Sequence, residues 1–515
     1  MNFSSVLEDA AQRYPNHTVI KSEERELTYR QLNDDANRFA RALDQKFDIQ
    51  PGERVAGVLS NCAETVLAYF ACAKLGAVYV PCNPIYKASE LKDIIGPCEP
   101  RVILSAPDTA AMVRELRDKL DPTPRIINIS EPSENELSIE QVLEGMPATN
   151  LDRSFPGDHP AAIFCTSGTT SQSKGAIWTH DAVVGSQRVV EAMDHHLQPD
   201  DVMLPYIPFF HAWGLVVFLR VILGGASLVP VRLNTPFRKL MQTIAEMGVT
   251  YLIAPSQMFH IIVNKYKNEA DGNPLRSLRA AQAGASALDP NVWRAFEERF
   301  QVPLMEVYGM TECGYICSNK FKGPRIPHSV GSPAPFTEVK IVDDDLKEVS
   351  LGNSGQIIMQ GPSVVKGFFG LVDNLPFTPD GWLMTGDVGK MDEFGNVYIL
   401  DRAKDIVNVH GEKVYCIEIE QVLKTHPKVA DASVVSFNSG KNEVPVACLI
   451  GHDKENAAST EDILDHCRSR LAAFKVPRQF FFMDEFPRNS LGKVVKKQLR
   501  EIVEQSRKGK ALSAS

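Results

Sequence analysis

Residues 166–176 read T-S-G-T-T-S-Q-S-K-G-A, a stretch in which small and hydroxylated side chains precede a single lysine, Lys174. The apolar residues 161–165 predict a buried strand that leads into this loop. Such a loop turns backbone N–H groups and hydroxyls toward an anion, and Lys174 adds positive charge. It is not a Walker A loop, because Lys174 lies between Ser173 and Gly175. The stretch therefore predicts a nucleotide-phosphate loop of another kind.

On both sides of this loop, the first 400 residues alternate short apolar runs with longer amphipathic stretches. Thr28 is a candidate N-cap for a helix whose apolar residues recur at helical spacing as far as Leu43. Residues 54–59 predict a buried strand, 64–75 a second helix and 77–80 another strand. This repetition predicts an α/β fold, with mostly parallel sheets covered by helices in a large N-terminal domain.

The pattern changes after residue 330. Short alternating runs occur at 339–342, 355–359 and 397–400, and Gly, Asp and Asn separate them. They predict a small antiparallel sheet or β-barrel-like subdomain. The acidic triplet at 343–345 lies between two of these runs and is interpreted as a hairpin turn.

Residues from about 404 to 505 predict a separate small α+β domain. Its predicted elements are helices at 417–425 and 459–471 and strands at 432–437 and 445–450. We expect an N-terminal domain at 1–401 and a C-terminal domain at 402–515, because a charged stretch follows the last strand of the larger unit.

Length and composition limit the class of protein. A chain of 515 residues exceeds what one hydrophobic core supports, and its 44% hydrophobic and 23% charged residues are ordinary for a globular protein. The net charge of −9 argues against nucleic acid as the main partner. Ten cysteines without paired spacing indicate reduced thiols and no zinc site.

The N-terminus has no cationic start and no continuous apolar core, so it does not predict a signal peptide. The apolar run at 214–226 is interrupted by Arg220 and is too short to span a bilayer. We therefore expect a cytoplasmic protein without a transmembrane segment. The stretch H-H-L-Q-P-D at 195–200 matches an acyltransferase signature, but its setting favours a polar turn.

Five further segments contain polar residues that suit catalysis. They are Y-I-P-F-F-H-A-W-G at 206–214, V-Y-G-M-T-E at 307–312, W-L-M-T-G-D-V-G at 382–389, D-R-A-K-D-I-V-N-V-H-G-E-K at 401–413 and P-R-N-S-L-G-K at 487–493. With the phosphate loop, these segments closely resemble the adenylate-forming enzymes, which include the acyl-CoA synthetases. The resemblance covers nearly the whole chain. It is specific because all of these motifs occur in the order that the family shows.

The resemblance implies two half-reactions in one active site. A carboxylate oxygen attacks the α-phosphorus of ATP, pyrophosphate leaves and an acyl-adenylate forms. A thiol, usually that of CoA, then displaces AMP. The family's fold has a small, mobile C-terminal domain that acts as a lid and turns between these steps, so ATP, Mg²⁺ and CoA are the implied cofactors.

The same resemblance assigns roles to individual residues. The β- and γ-phosphates of ATP are expected to be bound by the loop residues Thr166, Ser167, Gly168, Thr169, Thr170 and Lys174. Tyr308 is expected to stack on adenine and Glu306 to accept a hydrogen bond from its amino group. Asp387 is expected to hold the ribose hydroxyls, with Arg402 nearby.

Further roles concern the phosphates and the second half-reaction. Thr311 is expected to contact the α-phosphate, and Glu312 is the implied ligand of Mg²⁺. Lys493 is expected to stabilise charge at the α-phosphate, and Lys404 corresponds to the hinge. The pantetheine arm of CoA is assigned to the segment containing Asn408, Gly411 and Lys413.

The implied substrate pocket contains His211, Met310, Val330 and Gly331, together with the segment at 283–286. Of that segment and its surroundings, Gly284, Ala285, Ser286 and Val307 are also assigned to nucleotide binding. The aromatic residues Phe210 and Trp213 favour an apolar acyl or aryl group over acetate. His211 considered by itself is more often a buried core histidine.

The chain departs from the family pattern in two places. Ser171 and Ser173 stand where the family usually has Gly and Pro, and Glu306 and Val307 stand where many CoA ligases have Gln and Gly. Two alternatives to a CoA ligase are an acyl-AMP ligase that loads a carrier-protein thiol and a regulator that binds nucleotide without catalysis. Retention of Lys493 argues against the regulator.

Overall fold

The computed structural model describes residues 2–23, 25–166, 174–194, 196–266, 273–369, 375–409, 412–439, 442–452, 458–489 and 492–512. Its helices, in chain order, are α1 Ser5–Arg13, α2 Tyr29–Gln45, α3 Ala63–Leu75, α4 Ala88–Ile95, α5 Ala110–Arg117, α6 Ile139–Leu143, α7 His180–Ala192, α8 Ala212–Gly224, α9 Phe237–Glu246, α10 Ser256–Lys265, α11 Pro290–Phe300, α12 Cys416–Lys424, α13 Thr460–Arg468 and α14 Lys496–Leu512.

Three groups of strands accompany these helices. Those in the first 300 residues are β1 Thr18–Lys21, β2 Glu26–Thr28, β3 Arg54–Val58, β4 Val78–Cys82, β5 Val102–Ser105, β6 Arg125–Asn128, β7 Leu137–Ser138, β8 Pro160–Thr166, β9 Lys174–Thr179, β10 Val202–Pro205, β11 Ser227–Leu228, β12 Tyr251–Pro255 and β13 Ala280–Gly284. Those up to residue 402 are β14 Leu304–Met310, β15 Gly314–Ser318, β16 Ser332–Pro333, β17 Glu338–Val342, β18 Gly355–Gln360, β19 Phe368–Phe369, β20 Leu383–Met391 and β21 Val397–Arg402. The last group is β22 Val407–Val409, β23 Glu412–Val414, β24 Val429–Ser439, β25 Asn442–Gly451 and β26 Gln479–Phe482.

Two large sheets form the body of the N-terminal domain. One has the strand order β16-β15-β14-β13-β12-β10-β11-β1-β2, and the other the order β19-β9-β8-β4-β3-β5-β6-β7. Their central strands run parallel, while antiparallel pairs occur toward the edges, as between β8 and β9 and between β14 and β15. The predicted α/β architecture with mostly parallel sheets is confirmed.

The start of α2 shows how local sequence sets an element. The Thr28 hydroxyl accepts a hydrogen bond from the Gln31 N–H at 3.2 Å, and the Gln31 side chain accepts one from the Thr28 N–H at 2.8 Å. This capping box satisfies two donors that the first turn leaves unpaired. The helix then buries Leu32, Phe39 and Leu43 in the main hydrophobic core, as predicted.

Helices α3 and α8 are buried on nearly every side. Between Ala63 and Leu75 almost all residues of α3 are buried, and α8 is buried almost continuously from Ala212 to Ile222. A helix that is apolar all round belongs inside a core, and both helices contribute to one core with residues of the two large sheets. The apolar run at 214–226 is thus accounted for by α8 and the turn after it. None of the helices in the described part of the chain is long and apolar enough to cross a membrane.

The predicted small antiparallel sheet is confirmed, with the strand order β17-β18-β20-β21. The triplet at 343–345 forms a turn, in which the Asp343 carboxylate accepts hydrogen bonds from the N–H groups of Asp345 and Lys347, both at 2.9 Å. Asp200 likewise lies in an exposed turn before β10, although residue 195 is outside the described residues.

The C-terminal domain has its own core. Strands β24, β25 and β26 form a three-stranded sheet, and α12 and α13 contribute to the largest apolar cluster of this domain. The side chain of Ser459 caps α13 by accepting from the Asp462 N–H at 3.1 Å. An ion pair between Arg500 of α14 and Asp405 connects the last helix to the segment between the domains. All ten cysteines of the chain are free thiols, as predicted.

Candidate active site

Strands β8 and β9 bring the two ends of the phosphate loop together. They pair antiparallel, with Cys165 opposite Gly175 and Thr166 opposite Lys174. The strand predicted at 161–165 is confirmed, and its first four residues are buried. Ser167, Gly168, Thr169 and Thr170 lie outside the described residues, so their assignment to the ATP phosphates stays a prediction.

The carboxylate of Asp387 is held between two other residues named by the sequence. The Tyr308 hydroxyl donates to Asp387 Oδ2 at 2.5 Å, and Arg402 Nε lies 2.7 Å from Asp387 Oδ1. Asp387 and Arg402 are register partners on β20 and β21, and Asp387 is only 4% exposed. Burial, followed by the charge of Asp387, raises the pKa of Tyr308 well above its usual range, so the phenol stays a donor. The charge of Arg402 offsets that of the Asp387 carboxylate, and the carboxylate oxygens can accept hydrogen bonds from hydroxyl groups.

Thr311 and Glu312 lie in the turn between β14 and β15. The Trp178 indole N–H donates to the Thr311 carbonyl at 2.8 Å, and the Val365 N–H donates to the Glu312 carbonyl at 2.9 Å. Trp178 belongs to β9, the strand that begins at Lys174. These bonds position the backbone of the turn beside the strand that leaves the phosphate loop.

Glu312 is the residue that the sequence assigned to Mg²⁺. Among the residues that the structure describes, no three His, Cys, Asp or Glu side chains form a metal-binding cluster. A single carboxylate nevertheless fits this ion, because Mg²⁺ is usually held by one or two carboxylates together with substrate phosphates and water.

Glu306 is buried in the sheet beside the predicted nucleotide site. It pairs with Ala283 across β13 and β14, is 3% exposed, and its carboxyl accepts from the Leu288 N–H at 2.9 Å. Burial raises the pKa of Glu306 to about 8, with the Leu288 hydrogen bond opposing the shift. The side chain is therefore mostly protonated at pH 7, and it is then uncharged, as the amide of a glutamine is.

The segment at the end of β13 packs closely on α8. A Cβ at position 284 would lie 2.8 Å from the Trp213 ring and 3.0 Å from Val307, so only glycine fits there. The next residue, Ala285, has a φ of 68°, and the Ser256 hydroxyl donates to the Ser286 carbonyl at 2.6 Å. Gly284 therefore packs directly against both Trp213 and Val307.

His211 lies immediately before α8, and its ring centroid is 4.8 Å from that of Phe210. Desolvation lowers the pKa of His211 to about 4, so the imidazole is neutral at pH 7. Two other predicted pocket residues, Met310 and Val330, belong with Tyr308 to one apolar cluster. Gly331 has a φ of 84° and approaches the Ser318 carbonyl so closely that a Cβ would clash.

Lys493 of the C-terminal domain lies within electrostatic range of Arg402 and Asp387. Desolvation lowers the pKa of Lys493, the charge of Arg402 acts in the same direction and the charge of Asp387 opposes both. The neighbouring Gly492 packs on the large domain, where a Cβ would lie 2.7 Å from Gln257 Oε1 at the start of α10. Residues of the two domains therefore meet at this interface.

Lys404 lies in the short 3-10 turn Ala403–Asp405, directly after β21. Desolvation lowers the pKa of Lys404, and the charge of Asp405 opposes the shift. The turn marks the point where the chain passes from the antiparallel sheet into the C-terminal domain, near the predicted boundary.

The predicted CoA segment contacts the antiparallel sheet of the large domain. Asn408 and Lys413 are opposite one another on β22 and β23, and Gly411 lies outside the described residues. Lys413 Nζ is 3.8 Å from Asp344 Oδ2. In the residues that follow, the Tyr415 hydroxyl is 3.0 Å from Ser354 Oγ. The hairpin and Lys493 thus approach different parts of the large domain.

Sequence reasoning missed three residues that position this site. Trp178, Ser256 and Gln257 each contact a predicted residue or its neighbour through a pairing of distant segments. Trp178 follows the phosphate loop in a short apolar strand, so its large side chain was the available signal. Nothing in the surrounding sequence marks Ser256 or Gln257.

Comparison with known proteins is consistent with this geometry. A model of the AMP-binding enzymes matches residues 7–369, and a model of the AMP-binding enzyme C-terminal domain matches residues 418–493. The indoleacetate–CoA ligase of Aromatoleum aromaticum is 30% identical over 98% of this chain and 98% of its own length. The long-chain-fatty-acid–CoA ligase of Bacillus subtilis is 27% identical, over 96% and 94%. The crystal structure of the anthranilate CoA ligase in complex with anthranoyl-AMP has a TM-score of 0.90 at 26% identity, and covers 98% of each chain.

The chain belongs to the AMP-binding enzyme family, and hence to the adenylate-forming superfamily, because the two family models together match most of its length. Within that superfamily it is an AMP-forming acid–CoA ligase, and both of these relatives are named as CoA ligases.

Proposed function

We propose that this ligase activates an apolar or aryl carboxylic acid in the cleft between its two domains. ATP and the acid form an acyl-adenylate and pyrophosphate, and the thiol of CoA then displaces AMP. The observation that supports this most directly is the close packing of Gly492, the residue before Lys493, on Gln257 of the large domain.

The proposed nucleotide site uses the aromatic ring of Tyr308 against adenine. The Asp387 carboxylate accepts hydrogen bonds from the ribose hydroxyls, so the nucleotide displaces the Tyr308 hydroxyl from one carboxylate oxygen. Arg402 forms an ion pair with Asp387, and a hydrogen bond to a charged acceptor is stronger than one to a neutral acceptor. The protonated Glu306 provides a neutral wall next to the base.

The phosphates extend from this site toward the loop between β8 and β9. Lys174 and the loop hydroxyls bind the β- and γ-phosphates, and Thr311 contacts the α-phosphate. Glu312 would hold Mg²⁺, which neutralises phosphate charge when bound.

Lys493 stabilises the transition state of adenylation. As the carboxylate oxygen bonds to the α-phosphorus, negative charge grows on the equatorial oxygens, and a preplaced ammonium lowers the energy of that state.

The second half-reaction requires the small domain to turn about Lys404. The hairpin of β22 and β23 then replaces Lys493 at the cleft, and Asn408, Gly411 and Lys413 border the path of the pantetheine arm. The contacts that hold this hairpin away, between Lys413 and Asp344 and between Tyr415 and Ser354, are exposed and therefore weak. Such contacts permit a domain rotation.

The class of acid follows from the pocket walls. Trp213, Gly284 and Val307 present apolar surface beside the neutral His211. The relatives act on indoleacetate and on long-chain fatty acids, both of which have a large apolar body. A carrier-protein thiol is the second candidate acceptor, and it differs from CoA only in what bears the pantetheine.

The direct test incubates the full chain with ATP, Mg²⁺ and a panel of aryl, aryl-acetic and alkanoic acids, and measures pyrophosphate release. We expect release that depends on the acid, and thioester formation when CoA is added. Thioester formed only on an added acyl carrier protein would replace CoA by the carrier. Nucleotide binding without pyrophosphate release for any acid would contradict a catalytic function.

A further inference from the structure

A buried polar cluster lies between α8 and the strands β12, β13 and β15. The Trp213 indole N–H donates to the Tyr315 hydroxyl at 3.2 Å, and that hydroxyl donates to Gln282 Oε1 at 3.4 Å. Arg220 Nη1 donates to the same Gln282 oxygen at 3.2 Å. The Arg220 guanidinium also lies over the Tyr251 ring, 4.4 Å from its centroid. Arg220 is 3% exposed and Gln282 is fully buried, so this is a built polar site inside an apolar core.

The orientation of the Gln282 amide follows from its partners. An arginine side chain has donors and no acceptor, so the Gln282 atom that faces Arg220 is the oxygen. The amide nitrogen therefore points away from Arg220. Within the described part of the chain, this buried nitrogen has no hydrogen-bond partner. Leaving a buried N–H unpaired costs about 1–3 kcal/mol, so the position favours a ligand that brings an acceptor.

Gln282 shares a face of β13 with Gly284, because residues two apart on a strand point to the same side. The Trp213 ring, which borders the proposed acid pocket, occupies the space that a side chain at position 284 would fill. The Gln282 and Gly284 Cα atoms are roughly 7 Å apart along the strand. Gln282 thus lies on the same face of β13 as Gly284, two residues nearer the start of the strand.

We propose that Gln282 determines specificity by donating a hydrogen bond to an oxygen acceptor at the far end of the acid. This inference rests on the proposed function and names its substrate class: an acid with an apolar body and a distal carbonyl or carboxylate oxygen. Arg220 contributes positive charge next to the same amide, so a carboxylate is favoured over a neutral carbonyl. A distal N–H donor finds no matching acceptor here, because Gln282 Oε1 already accepts from Arg220 and Tyr315.

The test compares matched acids of equal length that end in a methyl group, a methyl ketone or a second carboxylate, at several alkyl and aryl lengths. For the wild-type chain we expect kcat/KM for pyrophosphate release to be at least about tenfold higher for an oxygen-ended acid than for its methyl-ended match. Preference for the dicarboxylic acid over the oxo acid would assign a role to the charge of Arg220, and the reverse order would restrict the site to neutral carbonyls. Equal or better use of the methyl-ended acids would overturn the inference.

Two variants connect the preference to this side chain. Gln282→Leu removes the donor and is expected to reduce the ratio of oxygen-ended to methyl-ended kcat/KM to near one. Gln282→Glu keeps the shape and replaces the donor by an acceptor, so it serves if the leucine variant does not fold, and it is expected to invert the ratio for dicarboxylic acids. Gln242→Leu, at an exposed position of α9, is the control that leaves the ratio unchanged.

The two levels of the argument fail differently. If no acid of any length supports pyrophosphate release, the proposed function is wrong and this inference falls with it. If acids are activated and the ratio in Gln282→Leu equals the wild-type ratio, the function stands and the role of Gln282 is rejected.

Discussion

At the scale of single residues, the cleft depends on charges that are placed before any substrate arrives. Asp387 forms an ion pair with Arg402 and accepts a hydrogen bond from Tyr308, while Glu306 and His211 are both neutral at pH 7 because burial disfavours their charged forms. Positive charge is concentrated at Arg402 and Lys493, where the proposed reaction develops negative charge. Perturbed pKa values gathered in one cleft are typical of an active site.

The role of Lys493 leads to the first prediction. Lys493→Ala is expected to lower acid-dependent pyrophosphate release at least about 100-fold, because it removes the cation that stabilises the transition state. Thioester formation from a supplied acyl-adenylate is expected to continue at nearly the wild-type rate. Lys497→Ala, at an exposed neighbouring position, is the matched control for both assays. Equal loss of both half-reactions in Lys493→Ala would contradict the assigned role.

The second prediction concerns Glu306 and pH. Between an unfolded glutamate pKa of 4.5 and the folded pKa of about 8, the folded chain keeps a proton that the unfolded chain releases, so stability falls as pH rises. Glu306→Gln removes this loss and still accepts from the Leu288 N–H. Its stability relative to wild type is expected to increase from pH 5 to pH 8, by about 2–4 kcal/mol at most.

Urea unfolding midpoints at pH 5, 6.5 and 8 measure this difference. Glu298→Gln, at an exposed position of α11, is expected to show no such dependence on pH. A constant difference between Glu306→Gln and wild type across this range would show that the carboxyl is already ionised at pH 5.

Residue chemistry explains why part of the site could be predicted and part could not. Tyr308, Asp387 and Lys493 occur in short segments whose residue types suggest their chemistry, and the structure brings these three together. The contact of Gly492 with Gln257 and the cluster around Gln282 depend on pairings between distant segments. No local pattern encodes such pairings, because hydrogen-bond partners across strands are set by the whole sheet.

At the scale of secondary structure, the local sequence predicted where a helix begins if a side chain at that position caps the helix. Thr28 and Ser459 mark the starts of α2 and α13, and both predicted starts are confirmed by their capping bonds. The order of strands in the sheets could not be predicted in the same way. Strand β15 runs antiparallel to β14 because the turn that contains Thr311 and Glu312 reverses the chain. The residue types in this turn indicated a catalytic role and gave no sign of the reversal.

The third prediction tests one of these caps. Thr28→Ala is expected to lower the free energy of unfolding of the N-terminal domain by about 1 kcal/mol, because the Gln31 N–H loses its acceptor. Thr28→Ser keeps the hydroxyl and is expected to retain most of the stability. A shift in the urea midpoint for alanine that serine does not rescue would assign the effect to the lost methyl group instead of the cap.

At the scale of the whole molecule, the small domain contains both groups that the proposed half-reactions use. Lys493 approaches Asp387 and Arg402, while the β22–β23 hairpin contacts the antiparallel sheet through Lys413. Under the proposed function, this arrangement serves the first half-reaction. Sequence motifs predicted the parts of the small domain, but its orientation depends on contacts such as Gly492 with Gln257 that appear only in three dimensions.

The fourth prediction tests the hinge. Lys404→Pro is expected to retain pyrophosphate release and to reduce thioester formation at least about tenfold, because proline restricts the backbone rotation that the second step requires. Lys404→Ala removes the same side chain and leaves the backbone free, so it is the matched control. Undiminished thioester formation in Lys404→Pro would reject a hinge at this residue.

One rigid unit that carries both Lys493 and the hairpin cannot present them to the cleft together. Pyrophosphate must then depart before the thiol can enter. The enzyme therefore binds the free acid in one state and the acyl-adenylate, a mixed anhydride, in the other. Initial velocities measured against ATP at several fixed CoA concentrations should therefore give parallel double-reciprocal lines, the signature of a ping-pong sequence.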